Sequence, residues 1–420
     1  MEKRVGLVLT GGGMRAAYQV GVLKAIAEML PSRARNPFSV ICGTSAGAIN
    51  AAAIAVDMQN FRQAVLYLVN TWRNFHANQI YRTDVIGVFN NSMLWLTGLL
   101  FSALGINKLR KVSLLDNSPL IELLEQMLPY EKIQEGVDAG LLHALSITAS
   151  GYGSGHSVTF YQGDKQIVPW RRTGRAGVPT QIEIKHLLAS ASLPFIFPAT
   201  LIHREYFGDG SMRQIAPLSP ALHLGATSVM VIGVTANGHV EQPERADISD
   251  YPTLAQIAGH ALNSIFLDSM EVDLERLKKI NDLVDLMPDE IRERSNLKHV
   301  EVMVISPSQP IEKIAERHAS DLPWTIRLLL RLIGARQRSG STLVSYLLSE
   351  KKFCRALIDL GYQDALKRRD EIMRFLDVRL RDGGAEHSGA GATASHPLPQ
   401  SGLSANVSGV QPQQDDELPQ

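Results

Sequence analysis

The feature that most constrains this chain is residues 40–51, VICGTSAGAINA, where an apolar segment runs into Gly-x-Ser-x-Gly and continues as an alanine-rich segment. The pattern predicts a strand, a tight turn carrying Ser45, and a helix, an arrangement known as a nucleophile elbow. Gly43 and Gly47 have no Cβ, so the strand and the helix can approach each other closely at the turn. The helix N-terminus would then point N–H groups toward the Ser45 hydroxyl. Because so short a pattern also recurs by chance, a glycine-rich turn without chemistry is the alternative.

The segments around the elbow predict an α/β fold. Residues 4–9 have the composition of a buried strand, residues 10–13 form a glycine loop, residues 16–30 have helical spacing, and residues 38–41 are the next strand. This βαβ order favours a mostly parallel sheet covered by helices. Further strands are predicted at 144–149, 157–161, 228–234 and 299–306, with helices at 184–191 and 253–279.

Three pieces of the chain can meet at one edge of this sheet. Gly11, Gly12 and Gly13 follow the first strand, and Ser45 follows the second. The carboxyl ends of parallel strands share an edge, so N–H donors and a hydroxyl would converge on one crevice, as acyl transfer requires. Asp209, in Phe-Gly-Asp-Gly-Ser, has a glycine on each side that frees the backbone to bring its carboxylate close. Asp-Gly is also a common turn dipeptide, so a plain turn is the alternative for Asp209.

Charge and cysteine content narrow the class of protein. Lys plus Arg and Asp plus Glu both number 42, so no overall charge predicts a nucleic-acid partner, and any basic surface must be local. Two cysteines, Cys42 and Cys354, are too few for a disulfide framework and fit a reducing compartment. The apolar run after the N-terminal Met-Glu-Lys-Arg is shorter than a secretory signal needs. We therefore expect a cytoplasmic protein that is peripheral on the inner face of a membrane.

Two segments could serve a membrane surface or pack on the domain. Residues 93–106 are almost all apolar and are followed by Lys108, Arg110 and Lys111, which fits either a buried cap or an interfacial helix. Beyond residue 311 the chain is rich in helical patterns and arginine, with an apolar stripe at Leu322, Ile326, Leu329, Leu330 and Ile333 and with Arg327, Arg331 and Arg338 at its flanks. That helix could pack on the domain or lie on anionic lipid. Three regions are predicted: a catalytic domain at 1–310, a helical extension at 311–381, and a disordered tail at 382–420 that lacks large apolar residues.

The blocks TGGGMR, GTSAG, ASLPFIFP and FGDGS, in this order, resemble those of the patatin-like phospholipase family over about residues 5–235. The resemblance implies a three-layer α/β/α fold and hydrolysis of lipid acyl esters by a Ser–Asp dyad without histidine. By that likeness Ser45 matches the nucleophile, Asp209 the base, and Gly11, Gly12, Gly13, Met14 and Arg15 the oxyanion-hole block. Arg15 could stabilise the loop or meet a phosphate headgroup. The chain departs from the family pattern at Ala16, where glycine is frequent, and at Ser211, where glycine or alanine is usual.

A dyad is chemically reasonable, since burial beside the serine would raise the aspartate pKa above its usual value of about 3.9 and make it a better base. No metal or cofactor is expected, because none of the 12 histidines has a paired ligand spacing. The expected substrate is a phospholipid or another acyl-ester lipid at a membrane surface.

Three other readings of the sequence stay open. A dinucleotide-binding oxidoreductase would use the glycine loop, but the second strand ends in Cys42 and Gly43 rather than in an acidic residue. An α/β-hydrolase with a Ser–Asp–His triad would use His223, His239 or His260, although only one strand precedes the elbow. The third alternative is a catalytically silent, membrane-associated regulatory protein that binds lipid.

Overall fold

The computed structural model describes residues 3–84, 93, 113–236, 254–295, 297–332 and 341–377, all within the compact unit Met1–Arg379. Most of the apolar run at 93–106, the basic cluster Lys108, Arg110 and Lys111, and the tail at 382–420 lie outside the described residues. The helices that the structure describes include none that is both long and apolar enough to cross a bilayer.

The strands of the described residues form one ten-stranded sheet. They are β1 (Val5–Leu9), β2 (Val40–Thr44), β3 (Ala144–Gly151), β4 (Ser157–Gly163), β5 (Trp170–Arg172), β6 (Arg175–Pro179), β7 (Thr200–Ile202), β8 (Glu205–Asp209), β9 (Ser228–Ile232) and β10 (Glu301–Ile305). Their order is β10-β9-β1-β2-β3-β4-β6-β5, with β8 paired to β3 and β7 paired to β8. The run from β10 to β3 is entirely parallel, whereas β4, β8 and β7 join by antiparallel pairing. The predicted α/β fold with a mostly parallel central sheet is confirmed.

The α-helices of the described residues are α1 (Ala17–Met29), α2 (Ala46–Ala55), α3 (Phe61–Arg73), α4 (Ser118–Met127), α5 (Glu131–Asp138), α6 (Ile184–Ser190), α7 (Ser219–His223), α8 (Leu254–Leu286), α9 (Asp289–Ser295), α10 (Ile311–His318), α11 (Trp324–Leu332), α12 (Ser341–Leu347), α13 (Lys351–Lys367) and α14 (Arg369–Phe375). A 3-10 turn, Gly13–Ala16, leads from the glycine loop into α1.

Strand β1 shows how the sheet separates two cores, because its side chains alternate between the faces. Leu7 and Leu9 join the larger core, which includes residues of α1, α2, α3 and α13. Val8 joins the smaller core, with Ala221 of α7 and Leu277 of α8. Helices therefore cover both faces of the sheet, which gives the three layers that the family resemblance implies.

The helices after residue 311 share the larger core with the first helix of the chain. Phe353, Leu357 and Ile358 of α13 are buried in it beside the side chains of α1. The hydroxyl of Tyr18 in α1 donates to Asp364 Oδ2 in α13 at 3.2 Å, which ties the two helices at a buried position. The boundary at residue 310 stays a prediction, since a common core does not divide the chain there.

Helix α11, which carries flanking arginines, packs on the domain through its apolar stripe. The sequence alone allows this stripe either to pack on the domain or to lie on lipid. Leu322, Ile326 and Leu330 are buried, whereas Trp324 and Leu328 on the other face of α11 are about half exposed. Leu329, Ile333 and Arg338 have no described side chain. A membrane contact by α11 would therefore use Trp324 and Leu328 instead of the predicted stripe.

Two predicted boundaries differ from the observed ones for identifiable reasons. The second strand was predicted at 38–41 but runs to Thr44, because Gly43 and Thr44 still pair with Ile147 and Thr148 of β3 before the turn. The long helix was predicted to end at 279 but continues to Leu286, where Val284 is buried. Tertiary contacts determine where these two elements end, and such contacts cannot be predicted from local composition.

Candidate active site

Ser45 occupies the turn between β2 and α2 in a strained backbone conformation. Its φ is 56° and its ψ is −132°, although the residue carries a side chain. Positive φ at a non-glycine residue costs on the order of 1–3 kcal/mol and persists only where the surroundings hold it. Here the Ser45 N–H donates to Ser190 Oγ at 2.8 Å, and that hydroxyl donates to the Thr148 carbonyl at 2.6 Å. Ser190, at the end of α6, therefore anchors the turn.

The glycines of the elbow allow β2, α2 and the end of β1 to meet. A Cβ on Gly43 would lie 2.5 Å from the Cα of Ala48, and one on Gly47 would lie 2.4 Å from the carbonyl oxygen of Leu9. Both distances are shorter than a Cβ tolerates, so a side chain at either position would separate the helix from the sheet. The close approach places Ser45 beside the glycine loop that follows Leu9.

Asp209 reaches Ser45 because β8 pairs with β3, the neighbour of β2. Ala149 of β3 lies opposite Asp209 in the antiparallel register, and the Asp209 N–H donates to the Ser192 carbonyl at 2.9 Å. The Ser45 hydroxyl donates to Asp209 Oδ2 at 2.6 Å, and the Ser211 N–H donates to Oδ1 at 2.9 Å. The two residues are 164 positions apart in sequence, and the fold joins their side chains directly.

The environment of Asp209 changes its acidity. The side chain is fully buried, and this burial raises the pKa of Asp209 from 3.8 to about 6. Hydrogen bonds from Ser45 and Ser211 favour the charged carboxylate and lower the pKa, but they only partly offset the burial. A carboxylate with a pKa near 6 is a better proton acceptor than a free aspartate and is still mostly ionised at neutral pH.

The glycine loop lies on the other side of the elbow. Gly12 has a φ of 156° and Gly13 a φ of 55°, and a Cβ on Gly13 would lie 2.6 Å from the carbonyl oxygen of Tyr346. Within the described residues, no hydrogen bond engages the N–H of Gly11 or of Gly12. These donors stand next to the elbow and have no acceptor in the described part of the chain.

Arg15 does not face the crevice, although it follows the glycines directly. Its side chain is fully buried and lies with the guanidinium 4.3 Å from the ring centroid of Tyr346. The Nε–H donates to Ser345 Oγ at 2.8 Å, and Nη1 lies 2.8 Å from Glu312 Oε1. Of the two roles considered for Arg15, these contacts fit stabilisation of the loop and not contact with a headgroup.

An apolar cavity opens between the elbow and the helices of the larger core. It encloses about 600 Å³ of space, part of which is continuous with solvent. One end is formed by Gly13, Met14 and Ala46, the residues flanking the candidate donors and nucleophile. The walls are Ile49, Trp72, Phe75, Ile80, Tyr81, Leu120, Leu123, Leu124, Met127, Ala191, Leu193, Phe197, Tyr346, Leu347 and Ser349. The apolar character of these walls suits a hydrocarbon chain.

Histidine takes no part in the site among the residues that the structure describes. His223, a triad candidate, stacks on Trp170 at 4.8 Å and bonds through Nδ1 to the Ser219 carbonyl. His260 is exposed on α8, and His239 lies outside the described residues. In the same described ranges, no group of three His, Cys, Asp or Glu side chains is placed to hold a metal ion.

Sequence patterns alone did not point to several residues that build the site. Ser190 and Thr148 hold the Ser45 backbone, and Tyr346 forms part of the cavity wall. Ser190 stands immediately before the ASLPFIFP block, which was the one available signal for it. Tyr346 lies more than 300 residues after the glycine loop, and no local pattern links the two.

Sequence comparison identifies related proteins over about half of the chain. A model of the family described as Patatin-like phospholipase matches residues 7–222. A cGAMP-activated phospholipase from Pseudomonas aeruginosa (strain BWHPSA011 / Pa011) is 25% identical over 224 residues, which are 52% of this chain and 55% of that protein. Lysophospholipase nte1 from Aspergillus terreus (strain NIH 2624 / FGSC A1156) is 51% identical over 55 residues, which are 13% of this chain and 3% of that protein. The chain thus spans about half of the first relative and a small part of the second.

Solved structures resemble the chain more distantly. Human GIVD cytosolic phospholipase A2, in complex with methyl gamma-linolenyl fluorophosphonate, aligns with a TM-score of 0.38 and 12% identity over 89% of this chain and 59% of that one. VipD from Legionella pneumophila aligns with a TM-score of 0.29 and 14% identity over 85% of this chain and 67% of that one. At TM-scores this low, neither likeness bears on the site.

Proposed function

Because the chain belongs to the patatin-like phospholipase family, we propose that it is a lipid acyl hydrolase in which Ser45 is the nucleophile and Asp209 its base. The observation that carries the assignment is the 2.6 Å hydrogen bond from the Ser45 hydroxyl to a buried carboxylate of raised pKa. A hydroxyl at a strained elbow, bonded to a base, is the arrangement that activates a serine for attack on an ester.

The chemistry follows from that bond. The Ser45 Oγ attacks the acyl carbonyl carbon while its proton passes to Asp209 Oδ2, and the carbonyl oxygen becomes an oxyanion. When the tetrahedral intermediate collapses, the ester C–O bond breaks and the leaving alcohol takes the proton from Asp209. Water then attacks the acyl-Ser45 ester with Asp209 again as base, which releases the fatty acid and restores the hydroxyl.

The oxyanion would be stabilised by backbone donors. The N–H groups of Gly11 and Gly12 and the N-terminus of α2 at Ala46 stand around the elbow. The Ser45 N–H is excluded from this role because it already donates to Ser190. Donors that are fixed before the reaction stabilise the developing charge without reorganisation, and each contributes about 10²-fold to 10³-fold in kcat.

The cavity indicates the substrate class. Its apolar walls begin at Gly13, Met14 and Ala46, so an ester carbonyl at the elbow would place its acyl chain inside the cavity. A polar or charged alcohol portion would stay outside, toward solvent. Phospholipids and lysophospholipids have this division, and two relatives are named as a phospholipase and a lysophospholipase.

We place the reaction at a membrane surface on the basis of exposed apolar side chains near the cavity. Phe195 is 77% exposed at a φ of 66°, two residues before the cavity-lining Phe197. Trp324 and Leu328 are also exposed on α11, and Thr325 of that helix donates to the Thr83 carbonyl, next to the cavity segment at Tyr81. Large apolar side chains exposed to water beside an apolar cavity are typical of interfacial contact.

The assignment is tested by labelling with a fluorophosphonate, which reacts with activated serines. Wild-type protein should be labelled at Ser45, and Ser45→Ala should lose both labelling and ester hydrolysis with no change in thermal melting. Residual hydrolysis above about a thousandth of the wild-type rate in Ser45→Ala would contradict covalent catalysis. A folded wild-type protein that binds lipid vesicles but resists labelling would instead support the catalytically silent lipid-binding protein.

A further inference from the structure

One side chain next to the glycine loop, Arg15, makes two close polar contacts with the segment after residue 311. This arginine leaves the 3-10 turn Gly13–Ala16 and enters a buried space between α10 and α12. Its Nη1 lies 2.8 Å from Glu312 Oε1 of α10, and its Nε donates to Ser345 Oγ of α12 at 2.8 Å. The guanidinium lies over the ring of Tyr346 at 4.3 Å.

A fully buried guanidinium is stable only where charge and hydrogen-bonding partners compensate for the loss of water. Neither Nη1 nor Nη2 makes a hydrogen bond of good geometry to the described residues, so Arg15 depends on the ion pair with Glu312 and on the Nε hydrogen bond to Ser345. Ser345 is itself fixed, because its hydroxyl donates to the Thr342 carbonyl at 2.6 Å. Ser345 is therefore a fixed partner for the Arg15 guanidinium.

The same helix touches the glycine loop directly. A Cβ on Gly13 would lie only 2.6 Å from the carbonyl oxygen of Tyr346, so α12 and the loop are in backbone contact. The Arg15 N–H donates to the Gly12 carbonyl at 3.2 Å, which transmits the position of Arg15 to the preceding peptide. Movement of α12 or of Arg15 would therefore shift the N–H groups proposed to bind the oxyanion.

We propose that Arg15 is a positioning residue through which Glu312 and Ser345 fix the glycine loop in its catalytic geometry. This inference rests on the proposed function, since it concerns the oxyanion donors of that reaction. Helices α10 and α12 then support the glycine loop through Arg15, and α12 also contributes Tyr346 and Leu347 to the lining of the acyl cavity. A misplacement of about 1 Å at such donors can cost about 10²-fold in rate.

The test uses Glu312→Gln, which keeps the shape of the side chain and removes its charge, and Ser345→Ala. The matched control is Glu316→Gln, on the same helix but exposed and without contact to Arg15. Glu312→Gln should lower kcat at least about tenfold with KM changed by less than about twofold, since oxyanion contacts act in the transition state. Fluorophosphonate should still label the variant to full stoichiometry, but more slowly.

Combining the two substitutions should be less damaging than the product of their separate effects, because both act through Arg15. Kinetics for Glu312→Gln equal to those of Glu316→Gln would overturn the proposal. A loss of labelling stoichiometry in step with thermal melting would also overturn it, because a purely structural role predicts fewer active molecules and not slower ones.

A second measurement does not depend on catalysis. Amide hydrogen exchange across residues 11–16 should accelerate in Glu312→Gln and in Ser345→Ala, and should match wild type in Glu316→Gln. Unchanged exchange in both variants would show that Glu312 and Ser345 do not fix the glycine loop through Arg15, even if the activity of the variants fell. If wild-type protein were never labelled at Ser45 but the exchange result held, the proposed hydrolase would fail while the structural coupling stood.

Discussion

Replacement of Ser211 by alanine should move the pH dependence of hydrolysis upward. In the proposed mechanism Asp209 must be ionised to take the Ser45 proton, and its surroundings, chiefly its burial, raise its pKa to about 6. The Ser211 N–H donates to Asp209 Oδ1 at 2.9 Å, and the Ser211 hydroxyl also stabilises the charged carboxylate and lowers the pKa. Ser211→Ala removes the hydroxyl and keeps the backbone donor, so only one of the stabilising contacts is lost. Alanine is also a usual residue here in the family pattern, so the fold should tolerate it.

The size of the shift follows from the energy of that contact. A hydrogen bond to an ionised group contributes about 1.5–3 kcal/mol, and one pKa unit corresponds to about 1.36 kcal/mol. The hydroxyl contact ranks below burial, the Ser45 bond and the backbone bond in its effect on Asp209. A contact that ranks last should contribute less than the lower end of this range, so we expect a rise of about half a unit to one unit.

The assay is kcat/KM for a soluble short-chain ester between about pH 4.5 and about pH 9, which reports the free enzyme's pKa values. For wild type, the rate should reach half its maximum near pH 6 and stay high above it. For Ser211→Ala, the midpoint should lie near pH 6.5 to 7, with a plateau close to that of wild type. A wild-type rate that stayed flat down to about pH 4.5, or a midpoint in Ser211→Ala at or below that of wild type, would refute Asp209 as the buried base.

Three more predictions concern the same site. Asp209→Asn should abolish hydrolysis yet raise the melting temperature at pH 8. Because the folded pKa of Asp209 lies above its unfolded value, ionisation of this carboxyl lowers the stability of the wild-type fold by up to about 3 kcal/mol as the pH rises from about 4 to about 6. The melting advantage of Asp209→Asn should therefore shrink when the pH is lowered from 8 to 4, and a constant difference would contradict the raised pKa. Leu124→Phe, at a buried cavity wall, should shift preference toward shorter acyl chains, as measured by rates on a chain-length series. Phe195→Ser should weaken binding to anionic vesicles severalfold while leaving hydrolysis of a soluble ester unchanged. A loss of soluble-ester hydrolysis as large as the loss of vesicle binding would argue against an interfacial role.

The sequence was most informative where backbone geometry requires particular residues. A strand that enters Gly-x-Ser-x-Gly and leaves as a helix has few conformations, because Gly43 and Gly47 permit contacts that any side chain would prevent. The glycine loop is predictable on similar grounds, since Gly12 and Gly13 adopt positive φ. In these stretches local chemistry specifies local structure, and the shared edge of a parallel sheet then brings the pieces together.

Contacts between side chains that are distant in sequence could not be predicted, because no local pattern specifies them. A periodic apolar pattern predicts buried side chains in general, but it does not distinguish one that fills the core from one, such as Trp72 or Leu124, that lines a cavity. Arg15 was left with two possible roles because its partners, Glu312 and Ser345, lie about 300 residues later in helices with no recognisable motif. The apolar stripe of α11 was left with two possible roles because such a stripe has the same spacing whether it faces protein or lipid.

The family match ends at residue 222, but the site does not. Strands β9 and β10, beyond that residue, continue the parallel sheet on the far side of β1, and Val234 just after β9 lies against Gly12. Tyr346 and Leu347 line the cavity, and Glu312 and Ser345 contact the arginine that follows the glycine loop. The proposed nucleophile and base and most of the cavity wall thus lie in the matched region, whereas the rest of the wall and the side-chain partners of Arg15 come from the helices after residue 311. Differences between this chain and its relatives in substrate preference should accordingly be sought in those helices as much as in the four blocks.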